Sequence, residues 1–289
     1  MLKSVKLGLI SLFIAHLVLP FGCFSQREPT PDIHHDPIQE ESSFSSVLPT
    51  QPSLELPDTP RADGYWDVSD VDISHIAPNR KLLALTFDDA PSSTLEEIVA
   101  VFLRHNEQHP DAPASATVFY NGGNIYPSSF PAIEAANTLG FEMGNHTHNH
   151  RNLAALTTAE IQREIDETDK LLQRFDGKER HLLRAPYGRL NDNVRASANA
   201  PIIDWFVDTA DWTGVSAESI YNTVWENKGD GVIVLMHDGY PNTVDALKRL
   251  LADLYEAGYQ AVSVSQMAKA HGCHLKIGGV YTRARPRKQ

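Results

Sequence analysis

The chain has 289 residues, 42% of them hydrophobic and 21% charged, with a net charge of −12. These are ordinary globular proportions, which exclude a fibrous or wholly disordered chain. Two cysteines exclude a disulfide scaffold or a Cys-rich metal module, and the acidic balance argues against a nucleic-acid partner.

Along the chain, Lys3 and Lys6 precede an apolar run from Leu7 to Leu19. That run is shorter than the ~20 residues of a membrane span and has the form of a secretory signal. Cys23 follows it directly and resembles the lipid-attachment cysteine of bacterial lipoproteins, in which case the chain is held at a membrane surface; cleavage nearby is the other reading. Both put the mature body outside the cytoplasm, secreted or in the cell envelope. Residues 24–60 hold seven prolines and seven acids against one arginine. Such a stretch buries too little apolar surface to offset its ordering entropy. The expected organisation is a signal over 1–23, a linker over 24–70, a catalytic domain over 71–272 and a basic, frayed tail over 273–289.

Within the body, a buried strand is predicted over 82–87, an apolar run bounded by polar residues. Leu95, Ile98, Val99, Phe102 and Leu103 then recur at helical spacing, with Ser93 and Glu96, or Thr94 and Glu97, as a capping box. Strands follow at 116–120 and 141–144, around a helix over 131–139 stopped by Gly140. A helix over 159–175 closes at Gly177. Further strands are expected at 181–183, 202–207 and 232–236, with Trp205 inside one of them and so read as core. A helix capped by Ser216 carries Ile220 and Val224 on one face. Val244, Leu247, Leu250, Leu251 and Leu254 form an amphipathic helix ending at Gly258, and 261–264 is the last strand. The alternation implies a mainly parallel sheet, open or closed into a barrel.

In such folds ligands sit at the carboxyl ends of the strands, and five predicted strands deliver reactive groups there. These are Asp88 and Asp89; His146, His148 and His150; Arg184; Asp208 and Asp211; and His237 and Asp238. Histidines at i and i+4 share one side of a helical turn, so His146 and His150 can ligate one metal, with Asp89 as a carboxylate and a position left open. His148 lies off that side. Asp88 is then a candidate base, although adjacent acids before a helix also serve as N-terminal partners. A nucleophilic aspartate for phosphoryl transfer lacks its lysine and threonine partners. Arg184 can hold Asp88 ionised. His237 is a candidate acid, oriented by Asp211.

Five short motifs occur in order between these strands: Thr86-Phe87-Asp88-Asp89-Ala90-Pro91, His146-Thr147-His148-Asn149-His150, Arg184-Ala185-Pro186-Tyr187-Gly188, Asp208-Thr209-Ala210-Asp211-Trp212 and Leu235-Met236-His237. Over 81–272 the chain resembles the polysaccharide deacetylase family, also called NodB-homology domains or carbohydrate esterase family four. The resemblance implies an α/β fold, a distorted (β/α) barrel, with a divalent metal, zinc or another such as cobalt. It implies hydrolysis of N-acetyl groups on an N-acetylglucosamine polymer such as peptidoglycan or chitin. By position it makes Asp89, His146 and His150 the metal ligands, Asp88 the base, Arg184 its partner, and His237 the acid oriented by Asp211. It also makes the Tyr187 N–H an oxyanion donor, and Trp212 and Leu235 the lining of an acetyl pocket. Ala90 stands where the family has glycine, which strains the backbone only if φ is positive there. The competing expectations are an O-acetyl esterase on a xylan-like polymer, a non-catalytic wall-binding lipoprotein and a phosphatase-like hydrolase. Nothing in the sequence points to an obligate protein partner.

Overall fold

The computed structural model describes residues 64–285. The signal, Cys23 and the linker up to residue 63 lie outside the described residues. The longest strand, β1 (Lys81–Ala90), is apolar on both faces and runs through the middle of the molecule. In chain order follow α1 (Leu95–Gln108), β2 (Thr117–Tyr120), α2 (Phe130–Thr138), β3 (Glu142–Asn145), α3 (Thr158–Asp176) and β4 (Leu182–Leu183). Then come α4 (Asp192–Ser197), β5 (Ile202–Ile203), β6 (Val207–Asp208), α5 (Ala217–Asn227), β7 (Val232–His237), α6 (Pro241–Glu256), β8 (Tyr259–Ala261), α7 (Val264–Ala270) and β9 (Val280–Tyr281).

Every strand pairing is parallel, in the order β6-β7-β1-β2-β3-β4-β5-β9, with β8 added against the start of β1. A strand buried on both faces needs helices outside it. The faces of α1, α2, α5 and α6 supply these, packing with β1, β2 and β7 in one large apolar cluster.

The predicted 202–207 strand is in fact two strands, β5 and β6, on opposite sides of the sheet order. Only residues 204–206 join them, a reach of roughly 3.3–3.6 Å per residue. The sheet must therefore curl until its two edges nearly meet, which gives the distorted barrel. Asp204 N–H donates to Tyr281 O at 2.8 Å on one edge, and Phe206 N–H to Ile233 O at 3.0 Å on the other. Trp205 sits in this break, half-buried, and not in the core as expected.

The segment expected to be a frayed tail is folded as far as residue 285. Strand β9 pairs with β5, Arg283 bridges antiparallel to Val232 of β7, and Leu275 and Ala284 are buried. This segment therefore spans the seam of the barrel. The linker boundary at 70 moves too, since Tyr65 bridges to Lys276 and Trp66 packs on the second apolar cluster.

Two caps differ from expectation. Thr94 precedes α1 but caps nothing with its side chain, because its hydroxyl donates to Asp238 Oδ1 at 2.7 Å. Val264 starts α7 instead of ending a strand, and Ser263 with Gln266 forms its capping box. The cap at Ser216 forms as expected, and α3 starts on a capping box of Thr157 with Glu160 that the sequence reading did not single out.

Candidate active site

The carboxyl ends of β1, β3, β4 and β7 converge. Along a regular strand, consecutive side chains point to opposite faces. At the end of β1 the pairing with β2 shifts register between Phe87 and Ala90, and Asp89 takes a left-handed φ of 64°. This irregularity brings two adjacent carboxylates to one side. Asp88 Oδ2 and Asp89 Oδ1 each lie 3.6 Å from His146 Nε2. Ala90 is absent from the positive-φ residues and its methyl is buried in the core, so replacing glycine there introduces no strain.

His146 and His150 meet as the spacing suggests, but not on a helical turn. The connection is a loop in which Thr147 and His150 have φ of 69° and 52°. His146 Nδ1 lies 2.8 Å from the carbonyl oxygen of Arg184. A carbonyl only accepts, so the proton is on Nδ1 and the Nε2 lone pair is free for a ligand. His150 Nε2 is 3.3 Å from Asp89 Oδ1. Ligand atoms of Asp89, His146 and His150 all lie within 4.8 Å of one another. Ligands ~2.0–2.1 Å from a tetrahedral zinc would be about 3.3 Å apart, close to the 3.6 and 3.3 Å that separate Asp89 Oδ1 from His146 Nε2 and His150 Nε2. The residues present therefore fit a divalent cation that favours imidazole and carboxylate ligands. His148 stands apart, with Nε2 3.9 Å from Glu167.

Four residues unmarked by sequence reasoning hold this set. Asn121 Nδ2 donates to Asp89 Oδ1 at 3.0 Å. Asn145 Oδ1 accepts from Thr147 N–H at 2.8 Å, at the left-handed residue. Asn145 Nδ2 donates to Asp169 Oδ1 at 2.8 Å, and the same oxygen is 2.9 Å from His181 Nδ1. Burial lowers the proton affinity of His181, but its bonds to Asp169 and Asp176 outweigh this and raise its pKa to about 9. The cue was that Asn145 directly precedes a candidate ligand; nothing local marked Asp169 or His181.

Asp88 is buried, and so is Arg184, whose Nη1 donates to Asp88 Oδ1 at 2.7 Å and to Thr86 Oγ1 at 2.7 Å. Its Nε donates to Ile203 O at 3.0 Å, and the guanidinium lies 4.2 Å over the Phe119 ring. A Cβ on Gly144 would sit 2.4 Å from that ring, so only glycine admits the ring that supports Arg184. Burial alone would raise the pKa of Asp88; Arg184, with His146 and His237, reverses this and holds it below the usual carboxylate value.

Across the site, Asp211 is buried and accepts four hydrogen bonds. His237 Nδ1 (2.7 Å) and Trp212 N–H (3.0 Å) donate to Oδ1. His237 N–H (2.8 Å) and Thr243 Oγ1 (2.7 Å) donate to Oδ2. Burial disfavours the imidazolium, but the bond to Asp211 and the charges of Asp88, Asp211 and Asp89 outweigh it and raise the pKa of His237. Asp208 is exposed, and its Oδ1 accepts Ala210 N–H at 2.8 Å.

Tyr187 has a left-handed φ of 62° and is exposed, and its ring meets the His150 ring edge-on at 4.7 Å. Its N–H makes no hydrogen bond among the described residues. Trp205 packs over Gly188, where a Cβ would lie 2.9 Å from it. Trp212 is exposed and Leu235 buried. An open cleft of about 530 Å³ adjoins Asp89 and His150, with Asn121, Asn124 and Tyr240 on its walls.

The polysaccharide deacetylase family model matches residues 75–201. That span ends before Asp211 and His237. Over 198 residues the chain is 36% identical to a peptidoglycan-N-acetylglucosamine deacetylase of Bacillus cereus, covering 65% of this chain and 69% of that one. It is 32% identical to the peptidoglycan-N-acetylmuramic acid deacetylase PdaC of Bacillus subtilis, over 66% of this chain. It spans only 40% of that relative's length. The solved structure of PdaC superposes with a TM-score of 0.60 at 30% identity, covering 67% of this chain and 93% of that one.

Proposed function

The chain belongs to the polysaccharide deacetylase family, and on that premise we propose that it is a metal-dependent hydrolase that removes N-acetyl groups from N-acetylglucosamine units of a cell-wall polysaccharide, peptidoglycan first. The observation that carries the reading is the pairing of two differently held groups beside one cation site: Asp88, whose carboxylate Arg184 holds in its ionised form, and His237, whose proton affinity Asp211 raises. Hydrolysis of an amide needs both a base and an acid. Pairs of groups whose surroundings drive their proton affinities apart supply them.

Asp89, His146 and His150 would hold the cation, zinc or another divalent ion such as cobalt. Bound there, it would supply a Lewis acid that polarises the acetamide carbonyl and eases deprotonation of water. Asp88 takes the proton of the attacking water through Oδ2, while Arg184 occupies Oδ1 and fixes the carboxylate. The N–H of Tyr187, free of other partners, donates to the oxygen that gains negative charge. His237, with its Nδ1 proton committed to Asp211, delivers the Nε2 proton to the departing sugar amine. Water's oxygen ends in acetate; of its two protons, the one taken by Asp88 passes on to restore His237, and the one left on the new carboxyl is released to the free amine, so that the products are acetate and a sugar ammonium. Trp212 and Leu235 line the acetyl group. The product amine is a cation, which an acidic domain does not repel. The site of action is outside the cytoplasm, where such polymers lie.

The test is acetate and free-amine release from N-acetylglucosamine oligomers, peptidoglycan and acetylated xylan by the zinc-loaded chain and by Asp88→Asn. Release from the first two, lost in Asp88→Asn with zinc still bound, supports the reading. Release from xylan alone replaces it with an O-acetyl esterase. No release from any polymer with zinc bound at one equivalent overturns it in favour of a binding protein.

A further inference from the structure

A second cleft continues from the first. It measures about 470 Å³ and is lined by Glu96, Ser93, Tyr126, Ser128 and Ser129. It shares Pro91, Ser92 and Asn124 with the cleft beside Asp89 and His150, so the two form one trench leading away from the cation site. Tyr126 is 61% exposed and its ring makes no aromatic or cation contact among the described residues. An exposed aromatic face beside free polar groups suits the apolar face of a pyranose ring, with hydrogen bonds to its hydroxyls.

The platform is held in place. Ser129 Oγ donates to Tyr126 O at 2.8 Å and accepts from Tyr126 N–H at 3.2 Å. The neighbouring Ile125 packs inward on the core. The opposite wall is fastened to the rim as well. Asp238 accepts Ser92 N–H at 2.6 Å and the Thr94 hydroxyl at 2.7 Å, and that hydroxyl accepts Gly239 N–H at 2.7 Å. In contrast, the side chains of Asn124, Ser128 and Glu96 make no hydrogen bond or ion pair among the described residues. Acids are favoured in the first turn of a helix, and Glu96 and Glu97 both lie in that turn of α1. Only Glu96 lines the trench.

We propose that this trench is a distal sugar subsite in which Tyr126 stacks on a unit of the polymer beyond the one next to the attacked sugar, and Glu96 recognises that distal unit when it already carries a free amine. The inference rests on the deacetylase reading above. Its consequence is that the enzyme favours chains that already carry deacetylated units, because its own product, a sugar ammonium, is the preferred occupant of the distal position.

Two measurements on the full chain test it. In the first, calorimetry without metal follows binding of the N-acetylglucosamine dimer and hexamer. Tyr126→Ala should weaken the hexamer about three- to tenfold and leave the dimer unchanged, and Tyr126→Phe should restore the hexamer. In the second, the zinc-loaded chain acts on fully acetylated and half-deacetylated hexamers. Wild type should have the lower KM for the half-deacetylated one, and Glu96→Gln should abolish that preference without changing kcat. Equal losses on dimer and hexamer, or none, overturn the subsite, and a preference that survives Glu96→Gln overturns the amine recognition. If no polymer is deacetylated while hexamer binding still depends on Tyr126, the subsite stands and the catalytic reading falls.

Discussion

Asp88 and His237 stand directly opposite each other in the parallel register of β1 and β7, and each is tied to its own buried partner. Arg184 holds the carboxylate, at 2.7 Å, and Asp211 holds the imidazole, also at 2.7 Å. Two adjacent strands thus carry a base and an acid whose proton affinities are set by different neighbours.

Asp211→Asn tests the acid side. The amide can no longer supply the charge that raises the pKa of His237, so the imidazole loses its proton at lower pH. Activity that requires imidazolium is present below that pKa and falls as pH rises through it. The upper limb of the pH dependence of kcat/KM should therefore move to lower pH, with kcat down roughly 10²–10⁴-fold. A limb that stays in place would mean that another group titrates there.

Asn145→Ala tests the support of the cation loop. The Thr147 N–H loses its acceptor at a left-handed residue between two candidate ligands. Outer partners of metal ligands contribute about 10–100-fold to affinity. Zinc dissociation, followed by competition with a chelating dye, should be faster and tighter binding lost by that order, with the three ligands intact.

His181 makes a prediction about stability and pH. Its folded pKa is raised to about 9 from about 6.5 in an unfolded chain. The stabilisation is fully present below about pH 6.5, while its carboxylate partners stay ionised, and is lost as pH rises through 9. The difference corresponds to about 3 kcal/mol. Urea unfolding of wild type should weaken between pH 6.5 and 9.5, and His181→Gln should lack that component.

Leu275→Ala tests the seam. Leu275 is buried in the segment that closes the barrel, and truncating a buried leucine costs about 2–5 kcal/mol. The thermal midpoint should fall roughly 5–15 °C. A midpoint within a degree or two of wild type would mean that residues 273–285 lie loosely on the fold.

The sequence by itself determined the order of the elements and the residues at the strand ends. Local signals suffice for these: apolar runs for strands such as β1 and β7, and helical spacing for α1 and α6. The fixed order of the five motifs named Asp89, His146 and His150 together before any distance was known. Only the tertiary structure decided how they meet. That Asp88 and Asp89 both reach His146 depends on a register shift against β2 and a left-handed φ at Asp89, and alternation along a strand alone would have sent them to opposite faces. That 202–207 breaks at Trp205, and that 273–285 closes the barrel, depends on edges brought together from distant parts of the chain. The support of Asn145 by Asp169 and His181 is likewise a contact between α3 and the segment before β4. Propensity and periodicity report a residue's immediate neighbours, whereas register, closure and buried polar pairing are fixed only when remote strands pack.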